Sequence, residues 1–118
     1  MSSIRLDPET HKLLRDFSIF LGDHCVAWRP RKRHPRPSYI ETIRILYFLA
    51  LGSYEDVKAE IMKQYHDILS TEGYPKTLEE KMAKPELEEQ IEADFIALKR
   101  ELSVYLQRKA LEYGGSLS

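Results

Sequence analysis

The chain has 118 residues, 42% hydrophobic and 31% charged, the length and make-up of one folded domain with its own core and not of a disordered segment. Its longest apolar run, residues 45–51, falls far short of the roughly 20 residues a membrane span needs, and Met1-Ser2-Ser3-Ile4-Arg5 lacks the basic-then-apolar order of a secretory signal. The net charge of −1 hides a division: residues 1–50 hold nine Lys/Arg against five Asp/Glu, and the remainder carries an acidic excess, so the N-terminal half is the one suited to an anionic partner.

At the N-terminus, Ile4 and Leu6 alternate with Ser3 and Arg5, the two-residue period of a short strand. Asp7-Pro8-Glu9 then reads as an N-cap, a proline at the first helical position and a first-turn acid. Leu13, Phe17 and Phe20/Leu21 follow at helical spacing, and Gly22 is the expected stop, so a helix is predicted over 8–21. Residues 23–37 break the pattern. Pro30, Pro35 and Pro37 forbid a continuous helix, the stretch 29–36 is mostly cationic, and Val26 and Trp28 can pin one end of this basic loop to the core.

Ser38-Tyr39-Ile40-Glu41 is a capping box that opens a second helix, apolar nearly all round through Ile40, Ile43, Ile45, Leu46, Tyr47, Phe48 and Leu49 and ended by Gly52. Such a helix is expected to be central or shared between subunits. Ser53-Tyr54-Glu55-Asp56 starts a third, with the stripe Tyr54, Val57, Ile61, Tyr65 and Ile68/Leu69 and a stop at Gly73-Tyr74-Pro75. Thr77-Leu78-Glu79-Glu80 opens a short helical piece that Pro85 is expected to interrupt. Beyond it a helix runs to about Tyr113, with Ile91, Phe95, Leu98, Leu102 and Tyr105 spaced like a coiled-coil seam. The whole, 1–118, is expected to be a single, mainly α domain of four to five helices, preceded by the short strand. The first two helices should form its core, with a helical C-terminal half at 53–113.

Ile4-Arg5-Leu6-Asp7-Pro8-Glu9-Thr10-His11-Lys12-Leu13-Leu14, followed by Ser38-Tyr39-Ile40-Glu41-Thr42-Ile43-Arg44, resembles the ribbon-helix-helix DNA-binding family, over residues 2–50 and with a longer loop between the helices than the family's short turn. The resemblance implies a homodimer whose paired N-terminal strands enter the major groove. Ser3 and Arg5 would then face base edges, and the backbone of Ser38 and Tyr39 would meet a phosphate. Independently of it, Arg29, Arg31, Lys32, Arg33 and Arg36 are candidate phosphate contacts. Ile40, Ile43 and Tyr47, with the seam Ile91, Phe95, Leu98, Leu102 and Tyr105, are candidate dimer or partner contacts.

Catalysis and metal binding find less support. Cys25 has no indicated base, and as the lone cysteine it makes no intrachain disulfide, so it is expected to be a small buried residue in a reducing, cytoplasmic setting. His11, His24 and His34 lack the paired spacing of a metal site. Glu89 and Glu92, with Glu55, Asp56 and Glu60 opposite, would make a magnesium-dependent all-α nucleotide hydrolase only if the two acidic sets faced each other. No cofactor is expected. The expected function is DNA binding, as a small transcriptional regulator or a plasmid- or phage-type accessory factor. A helical protein–protein adaptor that docks an acidic surface is the alternative.

Overall fold

A computed structural model describes residues 6–31, 33–71 and 78–114, the last stretch with side chains over 86–112. The architecture is mainly helical. α1 spans Pro8–His24, a single 3-10 turn Val26–Trp28 follows, and then come α2 (Tyr39–Ala50), α3 (Tyr54–Thr71) and α4 (Leu78–Gly114). No described residue lies in a strand. Leu6 and Asp7 are irregular, and the other residues of the expected strand, 2–5, lie outside the described residues. No described helix is long and apolar enough to cross a membrane.

The punctuation acts as its chemistry requires. Asp7 caps α1 by accepting the Thr10 N–H at 2.6 Å, with Pro8 at the first position, where its missing N–H costs no helical bond. Both arms of the Ser38–Glu41 capping box are made. α2 ends in a Schellman motif: Gly52, at φ +71, donates to the Leu49 carbonyl while Ser53 donates to that of Phe48. The Gly73-Tyr74-Pro75 stop and the Thr77 cap lie outside the described residues.

Three expectations are corrected. Gly22 does not end α1, which continues to His24 because the glycine serves a tertiary approach described below. Pro85 does not interrupt α4. A proline deletes one donor of the helical ladder, and the bonds on either side carry the helix past it. The 37 residues of α4, at about 1.5 Å each, account for the 56 Å long axis of the molecule.

The third correction concerns the core, which is built around α3 and not around the first two helices. Val57, Ile61, Tyr65, Ile68 and Leu69 of α3 meet Ile91, Phe95, Leu98 and Leu102 of α4, and Trp28 lies among them without exposure. From α1 come Phe17 and Leu21, while α2 contributes Ile45 as its fully buried hydrophobic residue. The seam on α4, expected at a partner, therefore closes the core of its own chain. Tyr105 joins it by packing its ring 4.5 Å from Phe20 and 5.6 Å from Phe17.

Candidate nucleic-acid interface

The segment from the 3-10 turn to α2 carries the basic residues, and its two ends are held by different means. At one end the buried Trp28 donates its indole N–H to Gln64 Oε1 at 3.0 Å, and its carbonyl accepts the Arg31 N–H. At the other, the buried Pro37 offers its carbonyl to the hydroxyl of Ser18, itself buried. Between them the chain crosses α1 at Gly22. A Cβ there would meet Arg36 Cβ at 2.8 Å and the Pro35 carbonyl at 2.9 Å, so glycine is what lets the loop lie on the helix. His34 takes φ +50, in the left-handed region, and its carbonyl accepts the Arg36 N–H two residues on.

Arg31 is the strut of this loop. Its guanidinium donates to both oxygens of Glu41, each at 2.8 Å, and to the Arg36 carbonyl at 3.0 Å. Burial pushes the Glu41 carboxyl up, but the bonds from Arg31 and from the Ser38 N–H outweigh it and hold the carboxyl below its ordinary value. Two residues expected to grip phosphate are thereby committed inward. Arg31 is paired, and the Ser38 N–H donates to Glu41 at 2.8 Å. The capping box and the anion site of a helix terminus compete for donors, and here the box takes the N–H groups of Ser38 and Glu41.

What the loop displays outward is Arg29, Arg33, His34 and, half-buried, Arg36. None of the three arginines has a carboxylate partner among the described residues. Lys32, Ser3 and Arg5 lie outside the described residues. Arg33, His34 and Arg36, with Arg31, Pro37, Ser38 and Tyr39, line a cleft of about 290 Å³. The Tyr39 ring stands edge-on to His11 at 4.8 Å, with its hydroxyl 3.3 Å from the His11 Nδ1. A larger cleft, about 490 Å³, lies on the other side of the loop between α1 and α4. Its Asp94 already accepts from the Val26 N–H and from Gln90.

Behind the loop, a polar chain crosses the core. The amide of Gln64, which accepts from Trp28, donates to Glu60 at 2.9 Å and to the Glu41 carbonyl at 3.2 Å. Glu60 in turn takes two 3.0 Å bonds from Arg44. Burial raises the Glu60 carboxyl, yet the Arg44 and Gln64 bonds hold it below its ordinary value. Sequence reasoning missed this chain, although Glu60 and Gln64 fall on the same α3 stripe as Val57 and Ile61, and polar residues inside an apolar stripe are a readable sign of a buried network.

The two acidic sets that a magnesium site would need are otherwise engaged: Glu60 is paired with Arg44, and Glu92 lies 3.7 Å from Lys58. Among the described residues no group of three or more His, Cys, Asp and Glu could hold a metal ion. Cys25 is buried, and desolvation raises its thiol to about 11, far from a reactive thiolate.

On α2, Ile40, Ile43 and Tyr47 are exposed at 69%, 41% and 61%, and Leu51, which the sequence pattern did not single out, continues their line at 60%. Their spacing of three and four residues is one helical face. The charges beside it, Glu41 and Arg44, are both paired within the chain. No protein-family model matches this chain, and no curated protein or solved structure matches it either.

Proposed function

We propose that this chain is a DNA-binding protein, of the kind that serves as a small regulator or an accessory factor, which holds phosphates on its 29–36 loop and pairs with a second copy through α2. The observation that supports it is the display of Arg29, Arg33 and Arg36, without carboxylate partners among the described residues, on a loop tied down at Trp28, Gly22 and Pro37. Loop residues tied down beforehand lose little entropy on meeting a polyanion. The grip rests on these arginines and not on Arg31 or the Ser38 N–H, both of which are engaged internally. Base reading by Ser3 and Arg5 through a paired strand rests on the ribbon-helix-helix resemblance.

A titration of labelled DNA against salt tests it. Three neutralised phosphates give a slope of log K against log salt of roughly −3 per chain, and Arg33→Ala or Arg36→Ala each lowers it by about one. An unchanged anisotropy at low salt defeats the reading. An adaptor is the second reading, favoured by the exposed apolar face of α2. In that case Ile40→Asp abolishes capture of a protein partner, and the arginine variants leave that capture intact.

A further inference from the structure

We propose that the cleft at the start of α2 takes one unpaired nucleotide, so that this loop, apart from any contact made by the N-terminal residues, holds single-stranded DNA more tightly than duplex; this rests on the phosphate-binding reading above. The cleft, about 290 Å³, sits at the small end of the roughly 300–1,000 Å³ range of ligand pockets, a size that matches a single nucleotide. Its lining has two kinds of surface. Arg33 and Arg36, which have no carboxylate partner among the described residues, line it beside the aromatic Tyr39 and the apolar Pro37. Arginine with an adjoining aromatic is the pairing that holds single strands, because each base offers a face to stack and each phosphate a charge to neutralise.

The surroundings favour an anion. The Glu41 carboxylate has its charge met by two bonds from Arg31, itself a residue of the cleft lining. Tyr39 is held by its hydroxyl to His11 and by its place at the first residue of α2, so stacking on it costs little ordering. Pro37 is fixed by Ser18 from α1, which keeps the wall of the cleft in place.

The test compares a labelled oligothymidylate with a blunt duplex of equal length at one salt concentration, for the full chain and for Tyr39→Ala, Tyr39→Phe and Arg36→Ala, each first shown to fold by its urea transition. The expected result is tighter binding of the single strand. Tyr39→Ala should then weaken the single strand by roughly five- to a hundredfold while sparing the duplex, Tyr39→Phe should keep the affinity, and Arg36→Ala should weaken both. Equal affinity for the two DNAs, with Tyr39→Ala without effect, overturns the nucleotide cleft and leaves the phosphate grip standing. Absence of binding to either DNA at low salt overturns both.

Discussion

At Gly22 two effects of opposite sign meet. Alanine in place of glycine within a helix gains about 0.5–1 kcal/mol. Here the new methyl would strike Arg36 Cβ and the Pro35 carbonyl, and neither is the free end of a flexible side chain. Overpacking of that kind costs about 1–3 kcal/mol, so Gly22→Ala should lower the urea-derived stability by about 1 kcal/mol and weaken DNA binding as the loop lifts. A stabilised variant would show that the loop does not lie against α1. At Tyr65 the balance runs the other way. Its hydroxyl is buried with no hydrogen-bond partner among the described residues, and burial, with the Glu88 carboxylate adding to it, raises its pKa. Tyr65→Phe keeps the ring and removes an unmet donor, so stability should rise by about 1 kcal/mol. A loss of that size would reveal a partner for the hydroxyl, such as an ordered water.

At the scale of elements, α2 and α3 are joined by charge as well as by apolar contact. Glu60 and Glu41 both have carboxyls held below the ordinary value of 4.5, so the stability they lend is present above that pH and is lost as pH falls through their folded values. The urea midpoint should therefore fall as pH is lowered below about 4.5, and Glu60→Gln should flatten part of that fall while lowering the plateau above it. An unaltered pH profile in the variant would place the acid sensitivity elsewhere. Helix starts were legible in the sequence because a cap is a local event: Asp7, Ser38 and the Gly52 ending each act within a few residues. The α3 stripe was legible too, as a period. What escaped depends on residues far apart in the chain. Gly22 reads as a stop until the segment at 35–36 is seen lying on it, and Arg31 reads as a free cation until Glu41 is brought opposite. The α4 seam shows an apolar face in the sequence, but whether its partner belongs to the same chain is decided by the fold.

For the whole molecule, that decision leaves the α2 face as the surface on which the proposed dimer rests. Ile40, Ile43, Tyr47 and Leu51 are exposed at 69%, 41%, 61% and 60%. Covering them completely is worth on the order of 5 kcal/mol per chain, so about 10 kcal/mol for the two faces of a dimer. Association itself costs about 4–15 kcal/mol, so this stripe alone makes at most a weak dimer of the free protein. The ion pairs Arg31–Glu41 and Arg44–Glu60 leave the face without net charge to oppose a second copy, while two basic loops brought together would repel until DNA neutralises them. Dimer formation and DNA binding should then be linked, each strengthening the other by the same factor. Sedimentation should show a monomer at low concentration that pairs as concentration rises, and pairs more readily when a DNA long enough for two copies is added. Tyr47→Asp should abolish the pairing and the cooperativity of DNA binding, while leaving the urea transition and the affinity of one chain for a short DNA unchanged. A tight dimer that persists in Tyr47→Asp would place the interface elsewhere, and cooperative binding by that variant would separate the α2 face from the DNA-bound assembly.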